Sequence, residues 1–477
     1  MAVQRKDGEV HPGIPWGPFT FRIPFYHTRI EWPEFWQGIF VAGATGLGLV
    51  YILTDNFGLS FEQAIAVVFI QSMLLSSAPI VFGEPYAPGW VTPALPLVLA
   101  TIFPFLATNG PEAGFQFMTA MSLMFAVLVI VLGLTRLGGK IIAWMPSALK
   151  GGIVMGASIA ALHNVYNTDT GHFYTAPYAM ATAIGLCLIL TFSLPLMALK
   201  QDRKWLALIA SLGLLPGFAI AGLVGPIMGE WAWQTEIFGR TILLGWSDIE
   251  GTTHTIRWGI SVPPFVETFQ AISPFSIGWP SFDMFWNAVP LALMTYVILF
   301  GDLITGTEIL KAAKKARPDE KISIDLNRTH VSIGIRNVLM AIFAPFFPTQ
   351  GTLWTGVQVI IVQKWAQGRD KMDSLYSGIS SYYVFGIPLL YMVLPLLDLL
   401  RPLMSVALAL TLVLTGFACA YVAMGMQRTT IERGTVVLIG FCLAIFSPWV
   451  GMAIAVVATV ALVGFKDPLP PEVVEED

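Results

Sequence analysis

One carboxylate stands out by its setting. Asp302 follows the apolar run "AVPLALMTYVILFG", and a charge inside a membrane-length apolar segment costs several kcal/mol unless it faces a cavity or a partner. In a cavity it can bind a substrate or a coupling ion, and a protonatable acid there can take up a proton on one side of a membrane and release it on the other. The competing role is a place at the cytoplasmic interface, capping a helix end. Glu308, six residues on and beside "KAAKKARPDEK", is a second coupling-ion candidate, with an interfacial ion pair as the alternative. Gln37 and Gln71 are polar residues in apolar stretches. Gln37 is read as a substrate contact, and hydrogen bonding between helices is the ordinary role for both.

A second constellation lies in two interrupted apolar segments. "APGWVTPALPLVLAT" from Ala87 and "FPTQGTLWTGVQVIIVQKW" from Phe347 each open with Pro, Gly, Thr and Trp before a run too short to cross about 30 Å of hydrocarbon. Thr92 can cap the free amides of a helix, and Pro93 at the first helical position loses no hydrogen bond. Residues 87–91 would then be extended. In the second segment Gln350, Gly351, Thr352 and Trp354 surround the matching start, offering hydrogen bonds and a flat apolar face. Irregular backbone at membrane depth is tolerated only where it lines a cavity or is buried in protein. Two half-helices entering from opposite faces would meet near the midplane and aim their positive ends at a polar or anionic solute. An ordinary loop and a kinked span are the alternative. Glu84, just ahead of the first break, is read as a solvated loop residue, with a gate at the mouth as its other role.

The elements that must position these residues follow from composition. The chain has 477 residues, 55% hydrophobic and 12% charged, with a mean hydropathy of +0.71, whereas soluble domains carry roughly a quarter charged residues. This is the composition of an integral, all-α membrane protein. Spans are expected near 35–54, 60–81, 90–106, 115–135, 142–163, 177–199 and 204–225, then near 286–310, 332–346, 350–366, 377–397, 401–424, 430–447 and 449–465. With the N-terminus inside, all but Arg240, Arg257 and Arg401 of the 26 Lys and Arg residues fall on the cytoplasmic side, Arg336 among them at a loop edge. Both termini are therefore placed in the cytoplasm. The 1–34 stretch has no apolar core after its basic residues, so it reads as a cytoplasmic segment rather than a cleaved leader.

The resulting organisation is a first seven-span repeat over 35–225, an external connecting loop over 226–285, an inverted seven-span repeat over 286–466 and a cytoplasmic tail over 467–477, the layout of inverted-repeat transporters. Several stretches carry a resemblance to a known group. "WQGIFVAGATGLGLV" from Trp36, the proline-led "MPSALKGGIVMGASIAAL" from Met145, the acidic "VILFGDLITGTEILKAAKKA" from Val297 and "FPTQGTLWTGVQVII" from Phe347 together resemble the nucleobase/ascorbate transporter and sulfate-permease superfamily. The resemblance covers essentially the whole chain through loose motifs. It implies discontinuous third and tenth spans, a core of spans 1–4 and 8–11, a gate of spans 5–7 and 12–14, dimerisation through gate helices, and a substrate contact at Asp302. Two departures stand out. Nucleobase members carry a carboxylate and Asn before the glycine of the tenth span, where this chain has Leu353, Trp354 and Thr355 before Gly356. Sulfate permeases continue into a regulatory domain, where this sequence ends in "KDPLPPEVVEED".

The expectation is a plasma-membrane permease (inner membrane if bacterial) rather than an enzyme: a secondary transporter of a small-molecule substrate with H+ or Na+ as coupling ion. First choice is proton symport of a nucleobase-like compact planar compound, and the alternative is an inorganic or carboxylate anion. A channel or a scaffold without coupled transport is a third. No cofactor, metal or nucleic-acid motif is present: Cys187, Cys419 and Cys442 stand singly as small core residues, and His163, His172 and His254 read as surface histidines.

Overall fold

The computed structural model describes residues 5–168, 171–246 and 252–465; the first four residues, Lys466 and the 467–477 tail lie outside them. Helices occupy each of the fourteen expected positions, and few are straight rods. Those long and apolar enough to cross a membrane alone are Phe61–Ile80, Thr92–Thr135, Phe282–Lys314 and Leu394–Gly425, while Gly138–Trp144 with Ser147–Tyr166 and Pro177–Phe192 with Leu194–Lys200 qualify only as pairs bent by 99° and 62°. The protein is a multi-pass membrane protein whose spans are largely assembled from pieces. The elements that matter below are α1 (Ala44–Asp55), α2 (Phe61–Ile80), α3 (Leu95–Thr135), α4 (Ser147–Tyr166), α5 (Phe282–Lys314), α6 (Leu326–Phe343), α7 (Thr355–Ala366), α8 (Met404–Gly425) and α9 (Thr430–Ile445).

The 41-residue α3 is two helices in one. Gly110 has φ 83° and ψ 173° and is followed by Pro111, a backbone state open to glycine and closed to most residues. The rings of Phe105 and Phe117 stack at 4.9 Å, although twelve residues of straight helix would separate them by about 18 Å. The chain reverses at Gly110, so residues 95–109 are a half-span and 111–135 the fourth span, running back beside it.

Two bodies follow from the packing. In the core, α3 packs on α5 and α6; in the gate, α4 packs on α8 and α9; and α1 of the core faces α8 of the gate. Core and gate, seven plus seven spans and interrupted third and tenth spans form the architecture that the resemblance implies.

Between the repeats, Ala232–Ile237 runs between Arg240–Gly245 and Thr253–Thr255 in a three-stranded sheet. Arg257 then grips the buried carboxylate of Asp398 through Nε and Nη2 at 3.0 and 2.8 Å, and reaches Glu62 through Nη1 at 3.0 Å. At the other end of the bundle the N-terminal segment lies folded onto the core. Glu9–Val10 pairs with Glu320–Lys321, the Arg22 amide donates to the Ile80 carbonyl at 2.7 Å, and the Arg22 guanidinium sits 3.7 Å over the Tyr376 ring. Arg5 and Arg317 both bind Asp319, at 2.7 Å each, and hold its carboxyl well below the usual carboxylate range, Arg317 foremost. One histidine departs from expectation: His172 is buried, edge-on to Tyr51.

Candidate functional site

The site begins where two non-helical segments, residues 87–91 and 348–354, cross. The Val91 amide donates to the Pro348 carbonyl at 3.0 Å, Gly351 to Gly89 at 2.8 Å and Trp354 to Ala87 at 2.9 Å, three antiparallel backbone bonds that satisfy groups no helix pairs. Contact is close enough to require glycine twice. A Cβ on Gly89 would come within 2.8 Å of Trp354, and one on Gly351 within 2.6 Å of the Gly89 carbonyl oxygen. Side chains brace the crossing from behind. Gln358 accepts from the Ala87 amide at 2.5 Å. Gln350 donates to the Gln71 carbonyl at 3.1 Å, and Gln71 donates to Ala344 at 2.9 Å. Arg336, wholly buried in mid-α6, donates to the Gly351 carbonyl at 2.9 Å. A charge-assisted bond of this kind is about twice as strong as a neutral one, and the guanidinium places a positive charge behind the segment that leads into α7.

The two starts differ in what they leave free. In α7 the N–H groups of Thr355, Gly356 and Val357 have no acceptor among the described residues, and no side chain caps them. On the other segment the helix starts in a tight 3-10 turn, Thr92–Ala94, whose capping residue is Val91 and not Thr92. Pro93 has no N–H, Ala94 donates to Val91 and Leu95 to Thr92, so only the Thr92 amide stays open. The Thr92 hydroxyl reaches the Trp90 carbonyl at 3.5 Å instead of capping the helix.

Both starts face one cavity of about 440 Å³ between core and gate. Gate side chains Thr411, Thr415 and Cys419 of α8 form the opposite wall. Five aromatic residues, Trp90, Trp354, Tyr382, Tyr383 and Tyr391, stand around it. Tyr382 and Tyr383 lie in a wide π-type turn, Ser381–Gly386, against a second such turn, Gly38–Gly43, with Gly38 packed on the Tyr382 backbone. Turns of this type recur at functional sites because they re-aim side chains. The Tyr383 hydroxyl is buried with no partner among the described residues. Asp302 reaches the same cavity from α5, half-buried and with neither hydrogen bond nor ion pair among the described residues.

The cavity is closed at one end. Leu49, Ile52, Leu95, Phe346 and Leu408, with Thr349 and Thr411 beside them, enclose a space of about 10 Å³, at the lower limit for a single water. Beyond this seal a second cavity of about 400 Å³, with Asp55, His254 and Arg401 in its walls, opens at the other face of the same core–gate seam.

Of the residues singled out from sequence, Asp302, Thr92, Trp354 and Gln37 come together around the main cavity. Gln350, Gly351 and Thr352 lie in the crossing, buried and not among the lining residues. Glu308 is exposed and paired with Lys311 at 2.8 Å. Glu84 is buried rather than solvated, held by Arg328 at 3.3 Å and by the Thr329 hydroxyl. Arg336 is buried in the core rather than at a loop edge, because the crossing supplies carbonyl acceptors that a lipid-facing position would lack. Residues that sequence reasoning missed are Arg336, Tyr382 and Tyr383. The polar, aromatic run "SSYY" from Ser380 is the one signal for the tyrosines.

No family model and no curated protein matches the chain. Among solved structures it is similar to the transmembrane domain of a cyanobacterium bicarbonate transporter, BicA, at TM-score 0.46 and 14% identity over 90% of this chain and 99% of that one. It is also similar to SLC26A9, at 0.49 and 13% over 91% of this chain and 65% of that one, and to murine Slc26a9, described as an anion transporter in the inward-facing state, at 0.49 and 12% over 93% and 69%. At that distance, what the cavity does has to be read from its own atoms.

Proposed function

We propose that the protein is a secondary transporter that carries a small anion, holding it against the open amides of α7, with Asp302 as the coupling site. The three unpartnered N–H groups of Thr355, Gly356 and Val357 at the cavity wall carry this reading: amides at a helix start, without a cap, are an anion site by charge and geometry. At the α7 start, where nucleobase members place a carboxylate, this chain has Leu353, Trp354 and Thr355 before Gly356, so that wall presents donors and Asp302 is the one acid among the lining residues. The anion is therefore the better fit, and nucleobase symport gives way to it.

Asp302 sets the coupling. Two like charges in one cavity repel, by about 1–3 kcal/mol at separations of about 15 to 5 Å and an effective dielectric of 20, so a bound anion and an ionised Asp302 oppose each other. A proton on Asp302 removes that repulsion, and anion and proton then cross together. Alternating access follows from the seal. The anion enters from the open end, and sliding the core along α8 moves the half-helix starts past Leu408 towards the second cavity. The deciding experiment is uptake into proteoliposomes under an imposed pH gradient, acidic outside. Saturable accumulation of an anion supports the proposal; nucleobase accumulation without anion uptake, or ion current without accumulation, overturns it.

A further inference from the structure

We infer that the passenger is an organic anion, one carboxylate or sulfonate head on a compact aromatic or branched body, rather than an inorganic oxyanion or halide. The inference rests on the anion reading above and specifies its substrate class. Two independent features of the cavity support it.

The first is how the walls divide. An inorganic oxyanion sheds its water only where donors surround it, because an unpaired charged oxygen in an apolar setting costs several kcal/mol. Here three open donors stand together, the amides of Thr355, Gly356 and Val357, and the other open groups are scattered singly around the wall, among them the Thr92 amide and the unpartnered, fully buried hydroxyl of Tyr383. Much of the remaining wall is ring or aliphatic side chain, including Trp90, Trp354 and Tyr382. A head group can satisfy the donors while a body fills the apolar part.

The second is size. The cavity measures about 440 Å³, whereas a four-atom oxyanion takes the place of roughly two waters, about 60 Å³. Sites of 300–1,000 Å³ with apolar walls and a few convergent polar groups are the usual form for organic ligands. The ring of Trp354 stands edge-on to that of Tyr382, with centroids 6.5 Å apart, so one wall presents a ring face and a ring edge. An aromatic body would stack on one and meet the other.

The test compares heads with and without a body on the purified full chain. Benzenesulfonate serves as the organic probe, because it stays ionised at every working pH and does not leak through lipid as a neutral acid. Bicarbonate, sulfate and chloride serve as inorganic probes. Thermal stabilisation in detergent and uptake into proteoliposomes are read for all four. The expected result is at least tenfold tighter binding and faster uptake for benzenesulfonate. Trp354→Leu should weaken benzenesulfonate at least tenfold more than sulfate, and Tyr383→Phe, which keeps the ring, should weaken every anion that binds. Tighter binding of any inorganic probe than of benzenesulfonate overturns the inference and leaves the anion reading standing. Absence of stabilisation and uptake with all four overturns both.

Discussion

The two repeats reach the same crossing and bring different chemistry to it. The second contributes the three open amides of α7, the carboxylate of Asp302 and the guanidinium of Arg336. The first contributes Pro93, which lacks an amide hydrogen, a 3-10 turn that uses two more, and the neutral Gln37. Inverted repeats give a scaffold its two-fold form; they do not oblige the halves to share the work. Under the proposed function the second segment-and-helix unit binds, while its counterpart completes the crossing and walls the cavity.

That division can be broken most severely at Asp302. Asp302→Asn should abolish gradient-driven uptake while leaving the melting temperature within a few degrees, whereas Gln37→Ala should change uptake less than threefold; equal effects would erase the asymmetry. Next comes Arg336. Arg336→Met removes a buried charge and its bond to Gly351, at about 2 kcal/mol, which should appear as a melting temperature several degrees lower together with weaker anion binding.

A finer instrument makes the second half-helix resemble the first. Trp354 is extended, at φ −101° and ψ 97°, and the Thr355 amide makes no helical bond, so Thr355→Pro deletes one donor at a position where proline belongs. Relative to Thr355→Ala, it should raise the KM for the anion about tenfold, as expected for one charge-assisted hydrogen bond. The reciprocal Pro93→Ala, which adds an N–H on the other side, should shift KM less than twofold.

The smallest effect lies outside the membrane. Asp319 has its acidity strengthened by Arg317 and Arg5, so its folded pKa lies below the unfolded one. The stabilisation is complete above about pH 4–5 and is lost as pH falls through the folded value. The gap in melting temperature between the protein and Asp319→Asn should therefore be full at pH 7 and narrow steadily below pH 4.

How much of this is legible in the sequence follows the same divide. Proline, glycine and threonine at Thr92 and Gly351 are local signals, and they locate both breaks in the backbone. Asp302 is legible because an acid at the end of a long apolar run must meet either a cavity or the water beyond the membrane. The reversal at Gly110 is legible only as a gap between apolar runs, since Pro104 and Pro111 bracket it within a helix-like stretch. Arg336 is misplaced because counting basic residues at loop edges assumes that a cation seeks water, whereas this one is satisfied by carbonyls that the crossing frees. Tyr382 and Tyr383 owe their place to a widened turn, and the periodicity of an apolar span does not announce where a helix gains a residue.

The N-terminal segment sets a timetable for biosynthesis. Arg5 and Glu31 find their partners Asp319 and Ser381 at separations of 314 and 350 residues along the chain. At about 5–20 residues per second, a ribosome spends roughly 15–70 s between making the two sides of that lock. Residues made before the first repeat thus settle only after much of the second is made, and a nascent chain holding the first repeat alone has its seven spans without the clasp that fastens them to their twin.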